Sequence, residues 1–208
     1  MGLLHVITFA TLDGVAQAPG GPQEDTDGGF EFGGWQAPVS DEVVGQHVGS
    51  CIAEMDALLL GRRTYDIWAA YWPTAGHDGP DAVIVDRFDD VPKYVASGTL
   101  VDPQWQRTQV LGPDLAAEVA ALKARHEHIH VWGSLDFVQS LWTDRLVDRL
   151  DLWVFPLLLG RGKKLFGSGV VPADVTLLEP PLASPKGAVL LRYAFPDTTP
   201  GTGDMASR

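Results

Sequence analysis

Short apolar runs that end in glycine or a turn pair alternate with helix-forming segments along most of this chain. Parallel strands need long crossovers, usually helical, so that alternation points to a largely parallel sheet. Residues 3–9 (LLHVITF), 57–60 (ALLL) and 129–132 (IHVW) read as buried strands. Ser40 opens a helix with Asp41 and Glu42 in its positive first turn, and Val44, Val48, Cys51, Ile52 and Met55 form one apolar stripe. A second helix follows residue 61, with Thr64 as its cap, Tyr65, Trp68 and Trp72 at helical spacing, and Pro73 as its stop. Residues 82–85, 93–97 and 108–111 read as strands; Asp114 caps a helix over 115–125, and Ser134 caps another to Trp142. The runs 149–159, 175–179 and 188–195 come without helices between them, which marks antiparallel additions. The reading is a single α/β domain over residues 1–195, a mostly parallel twisted sheet with helices on both faces and antiparallel C-terminal strands. Residues 196–208 (PDTTPGTGDMASR) read as a flexible tail.

Composition narrows the function. The 208 residues are 45% hydrophobic, enough for a full core, and their formal charge of −12 makes nucleic acid an unsuitable partner. The longest apolar run, residues 152–159, contains Pro156 and is far too short to span a bilayer. No basic leader opens the chain, so a cytoplasmic location is expected. Cys51, the sole cysteine, lies on a helical apolar stripe and reads as core. His126, His128 and His130 alternate and would share a face on a strand, but only His130 lies well inside one; they read as capping and packing, with no metal expected.

Two strand-to-helix junctions carry the chemistry. Gly61-Arg62-Arg63-Thr64 combines close backbone approach, a hydroxyl and two guanidiniums at a helix start, in a chain otherwise strongly acidic. Gly133-Ser134-Leu135 repeats the strand–glycine–cap pattern. In parallel sheets, ligands bind beyond the C-terminal strand ends, where both junctions lie. Neither G-x-G-x-x-G after the first strand nor a P-loop is present, and residues 160–164 (GRGKK) read as a strand end. Residues 17–38 are rich in Gly, Pro and acids yet hold Phe30, Phe32 and Trp35, which suits a loop folding over something apolar.

Leu12-Asp13-Gly14-Val15, Gly61-Arg62-Arg63-Thr64-Tyr65, Val131-Trp132-Gly133-Ser134 and the closing Phe155-Pro156-Leu157 with Leu159-Gly160-Arg161-Gly162 occur in an order that resembles the dihydrofolate-reductase-like superfamily. The nearer likeness is to the C-terminal reductase domain of the riboflavin-biosynthesis deaminase-reductase, over about residues 3–195. That resemblance implies NADPH as cofactor and hydride transfer to a C=N or C=O of a small, pterin- or pyrimidine-like substrate. It assigns Arg62 and Ser97 to the adenosine 2′-phosphate, Arg63, Thr64 and Gly61 to phosphates, and Gly133, Ser134 and Leu135 to the pyrophosphate. Phe9, Ala16 and Gln17 would dock the nicotinamide, residues 17–38 would close over it, and Asp13 would be the acid at the reacting centre. Asp41 and Glu42 stand as candidates for the substrate-binding carboxylate. Where dihydrofolate reductases carry Gly-Gly, Trp132-Gly133 brings an indole to the nicotinamide pocket. A homodimer is also implied, and the apolar run 149–159 gives it a physical motive, because no helix in the reading covers its second face. The rival readings are a nucleotide-binding module without catalysis and a structural homodimer without turnover.

Overall fold

The computed structural model describes residues 1–79, 81–167 and 170–206. Nine strands form one sheet: β1 (Leu3–Thr11), β2 (Ala57–Gly61), β3 (Lys93–Ala96), β4 (Thr108–Val110), β5 (His128–Val131), β6 (Arg149–Phe155), β7 (Thr176–Leu177), β8 (Leu182–Ala183) and β9 (Val189–Ala194). The order is β4-β3-β2-β5-β1-β6-β9-β7, with β8 also paired to β9. Neighbours from β4 through β6 are parallel, and β9 runs antiparallel to β6, β7 and β8. The helices are α1 (Glu42–Glu54), α2 (Arg62–Tyr71), α3 (Ala82–Asp90), α4 (Leu115–Lys123) and α5 (Leu135–Thr143).

The period of two along β2 builds both halves of the core. Ala57 and Leu59 join Val119, Leu122 and Leu141 of α4 and α5, whereas Leu58 and Leu60 join Ile52, Tyr65 and Phe88 of α1–α3. All five β2 residues are buried, as expected of a strand covered on both faces. Each buried leucine there contributes about 1.5–3 kcal/mol. Cys51 is buried on the α1 stripe, where burial pushes its thiol up to about 12, as a core residue requires.

Several local expectations are corrected. Residues 82–85 begin α3 instead of forming a strand. Val85, Phe88 and Val91 turn one face onto Trp68, Trp72 and Trp105 while Asp86 and Asp90 stay exposed, and a four-residue apolar run cannot reveal that period. The cap of α1 is Asp41, not Ser40: its Oδ1 accepts from the Val43 and Val44 amides. Gly61, not Thr64, is the N-cap of α2.

The strand in 149–159 stops at Phe155, before Pro156, and is central rather than exposed. Leu150 and Leu152 pack on the α4/α5 face, and Trp153 and Phe155 pack opposite against Phe30, Trp35 and Val44. The chain itself therefore covers both faces, which removes that motive for a partner. Residues 196–206 carry no helix or strand, and positions 207–208 of the expected tail lie outside the described residues.

Candidate active site

β2 and β5 are parallel neighbours whose following helices leave to opposite faces, α2 with α1 and α3, α5 with α4. Such a divergence opens a crevice beyond the strand ends. The two junctions meet there. The Gly61 amide donates to the Gly133 carbonyl at 2.9 Å. A Cβ on Gly61 would lie 2.4 Å from Ser134 Oγ, and one on Gly133, at φ 148°, would lie 2.6 Å from Thr64 Oγ1. Only glycine lets these segments approach so closely. Ser134 occupies the N-cap of α5 as expected, yet neither it nor Gly61 makes a side-chain capping bond. The first-turn amides of both helices therefore face the crevice uncapped, with two positive dipole ends converging.

A continuous trough follows from this. Its outer part is a groove of about 870 Å³ lined by Arg62, Arg63, Ser97, Gly112 and Ser134. A narrow neck bounded by Phe9, Ala16, Arg63, Thr64, Gly133, Ser134 and Leu135 leads inward. Beyond it a cleft of about 620 Å³ lies among Phe9, Ile67, Trp68, Tyr71, Trp72 and Trp132. Most of the residues singled out by sequence are thus brought together.

Their charges are already partnered. Arg62 donates from Nε to both Asp66 oxygens (2.8 and 2.9 Å) and from Nη1 to Thr99 Oγ1 (3.2 Å). Ser97 Oγ accepts from the Thr99 and Leu100 amides and so shapes the adjacent turn. Arg63 Nη1 reaches Asp25 at 3.1 Å and Asp27 at 2.5 Å, and Lys163 Nζ reaches the same two acids at 2.7 and 2.9 Å. Two acids of the 17–38 segment therefore share two cations. Burial pushes the Asp25 pKa up, but its Lys163 hydrogen bond and the neighbouring cations leave it lowered; the hydrogen bonds from Lys163 and Arg63 lower that of Asp27.

Other expected site residues stand outside the trough. Gln17 is buried and stitches the 17–38 segment together: Nε2 donates to the Asp25 and Asp27 carbonyls, and Oε1 accepts from the Lys163 amide. Asp13 ties the end of β1 to the loop after β6. Its Oδ1 accepts from Thr11 Oγ1 at 2.5 Å and its Oδ2 from the Gly160 amide at 2.8 Å, which lowers its pKa to about 2. A carboxyl held ionised in that way has no proton to give near neutrality. Asp41 is occupied as a cap and also accepts from the Lys186 amide, while Glu42 is exposed beside Gln46. Neither carboxylate borders the cleft.

The acid at the cleft is Glu24, which the sequence reading did not single out. It borders both neck and cleft, with Oε2 accepting from the Gly20 and Gly21 amides at 2.6 and 3.1 Å. Burial raises its pKa despite those bonds. Nothing but its place in the 17–38 segment could have flagged it. Trp132, whose buried indole N–H has no hydrogen-bond partner among the described residues, stands where neck meets cleft.

The strand order and the crevice define a dihydrofolate-reductase-like fold. The chain belongs to the RibD C-terminal domain family, whose model matches residues 4–181, and that family is a reductase family. A putative riboflavin biosynthesis protein from a Shewanella species is similar in structure, with a TM-score of 0.71 at 20% identity, covering 93% of this chain and 99% of the other. A pyrimidine reductase-like protein from Corynebacterium diphtheriae gives a TM-score of 0.60 at 16% identity, over 95% and 93% of the two chains. In sequence, the chain is 27% identical over 114 residues to the uncharacterized protein YyaP of Bacillus subtilis, a match spanning 54% of this chain and 60% of that relative. No helix among the described residues is long and apolar enough to cross a membrane.

Proposed function

We propose that this protein is an NADPH-dependent reductase that delivers hydride to a C=N or C=O of a small, flat, pyrimidine- or pterin-like heterocycle. The observation that carries this reading is the asymmetry of the trough. One end offers two uncapped helix N-termini and two arginines; the other is an aromatic cleft whose lining holds no Lys or Arg. Phosphates suit the first end, and an uncharged or cationic ring suits the second.

The residues fit a dinucleotide. Gly61 and Gly133 let the two junctions pack directly against each other, and the indole N–H of Trp132 offers a donor unused among the described residues. Arg62 and Ser97 would take the 2′-phosphate, Arg63 and Thr64 the phosphates, and Gly133, Ser134 and Leu135 the pyrophosphate. Phe9 and Ala16 would border the nicotinamide, which when bound supplies the hydride. Trp68, Trp72 and Trp132 orient a flat ring and exclude water from it. Glu24, its pKa raised by burial, donates the proton that balances the hydride, and is reprotonated from solvent. This replaces Asp13 in the acid role.

The test is NADPH consumption with a panel of pyrimidines and pterins, each with and without a phosphate. Turnover confined to the unphosphorylated members is expected, with kcat/KM falling as pH rises through the Glu24 pKa. Glu24→Gln should remove that limb and lower kcat about 10²–10⁴-fold. Tight NADPH binding without turnover on any member would instead favour the non-catalytic nucleotide-binding module.

A further inference from the structure

The α1 face of the sheet buries a group of chemistry-bearing side chains that the reductase reading does not use. His5 and His130 stand opposite each other on β1 and β5, ring centroids 4.9 Å apart, and both are buried. Two neighbouring polar residues are fully explained. Trp153 Nε1 donates to His47 Nδ1 at 3.0 Å, so His47 Nε2 carries hydrogen and donates to Asp151 Oδ2 at 2.9 Å. Asp151 also accepts from Arg149.

His130 is different. It has no solvent exposure, and neither ring nitrogen has a partner among the described residues. With neither nitrogen engaged, the ring presents a free lone pair. His5 Nε2 lies 2.9 Å from Asp151 Oδ1, out of line for a hydrogen bond. Glu54, the last residue of α1, completes the group: one ligand atom from each of His5, His130 and Glu54 lies within 4.8 Å of the others. Glu54 is exposed, and its Oε1 is 3.7 Å from Nδ1 of His128, the next residue of β5 on this face.

We propose that His5, His130 and Glu54 bind a divalent transition ion of the zinc type. Two imidazoles and a carboxylate are a ligand set such ions favour, and a fourth position remains for water or for His128 at the mouth. Ligand atoms about 2.1 Å from a tetrahedral ion are about 3.4 Å apart, so closing the site from separations within 4.8 Å takes side-chain movements that together come to about 1.4 Å at most. Asp151 lies beside His5 Nε2, which leaves Nδ1 of that ring for the ion. Arg149 and Arg192 are turned to Asp151, and Glu54 supplies the negative charge on the ion's own side. The exposed Glu54 marks the way in. The alternation of His128 and His130, visible in the sequence, contributes here, whereas His126 departs to the hydroxyl of Tyr94 at 2.9 Å.

The test uses the untagged chain, stripped with chelator and titrated with Co²⁺ and Zn²⁺, without any activity assay. Expected are one tightly bound equivalent, the visible absorption of four-coordinate Co²⁺, and a higher Tm with Zn²⁺. Glu54→Gln, at an exposed position, should keep the metal-free Tm yet weaken Co²⁺ at least about 10–100-fold. His130→Gln should do the same, and if it does not fold, Glu54→Gln decides. His77→Ala, at a surface cluster with Asp86 and Asp89, should change nothing. No binding, unaltered Co²⁺ affinity in Glu54→Gln, or a stoichiometry lost with His77 would overturn the proposal.

Discussion

Arg62→Ala separates the 2′-phosphate assignment from general electrostatics. Arg62 lies in the outer groove beside Ser97, and a charge-assisted bond to a phosphate contributes roughly 1.5–3 kcal/mol. To form it, the guanidinium gives up part of its i,i+4 pair with Asp66, whose side chains are 39% and 52% exposed. Such pairs contribute about 0.3–0.5 kcal/mol. The net loss in Arg62→Ala is therefore about 1–2.5 kcal/mol, or about 5- to 70-fold in NADPH affinity. NADH, which lacks the phosphate, should bind unchanged. Tryptophan fluorescence reads this directly, because Trp68, Trp72 and Trp132 line the adjoining cleft. The same arithmetic predicts that Asp66→Asn tightens NADPH about twofold. Equal weakening of NADPH and NADH in Arg62→Ala, or none in either, would refute the assignment.

Gly61→Ala should lower stability by about 1–3 kcal/mol and force the two junctions apart, since the new methyl meets Ser134 Oγ at 2.4 Å and Phe137 Cβ at 2.6 Å; thermal unfolding and NADPH titration read both effects. The double variant Asp25→Asn, Asp27→Asn should loosen the 17–38 segment and speed its proteolysis, because it removes the ion pairs to Arg63 and Lys163. Both acids have lowered pKa values, so the latch is complete above their ordinary range, near pH 4, and is lost as pH falls below it. An unchanged cleavage rate would show that these pairs do not hold the lid. A homodimer, proposed here across the β7/β8 edge where Leu177 and Leu182 are 43% and 45% exposed, should dissociate in the variant carrying Leu177→Glu and Leu182→Glu. Light scattering giving the mass of one chain for the native protein would remove that proposal.

The parts of this fold that were legible in the sequence share one property: their signal is local. Two strands running through glycine into a helix start, at Gly61 and Gly133, could be read because backbone approach and helix dipole need only adjacent residues. The cap at Asp114 was visible for the same reason, and its carboxylate does accept from the Ala117 amide. Residues 82–85 failed because β-branched residues favour strands, while the aromatic wall that captures them as a helix comes from Trp68, Trp72 and Trp105. Asp13 was placed by resemblance, but its role is fixed by amides about 147 residues away in sequence. Glu24 and the pairing of His5 with His130 are likewise products of folding, invisible at any spacing. Trp68 and Trp72 stand at helical spacing in the sequence; in the fold they pack on the core on one side and border the cleft on the other.

The acidity of the chain and the cationic character of its groove are connected. A protein of net charge −12 would draw stray cations to its surface and repel a dinucleotide at long range. Arg62 and Arg63 line the trough, Lys163 shares the acids of Arg63, and each is paired with Asp66, Asp25 or Asp27. Phosphate binding is thus an exchange of partners rather than the filling of a bare positive site, so its net free energy stays modest at each contact. The exchange at Arg63 has a structural consequence. Its carboxylate partners sit on the same segment as Glu24, and Gln17 binds their carbonyls. On the proposed reading, a phosphate that takes Arg63 would leave Asp25 and Asp27 only Lys163, and Glu24 would be freer to follow a substrate into the cleft. Cofactor binding and proton delivery would then be coupled through a single guanidinium, and Arg63→Lys, which keeps the charge but loses the fork that holds two acids at once, should weaken that coupling more than it weakens NADPH binding.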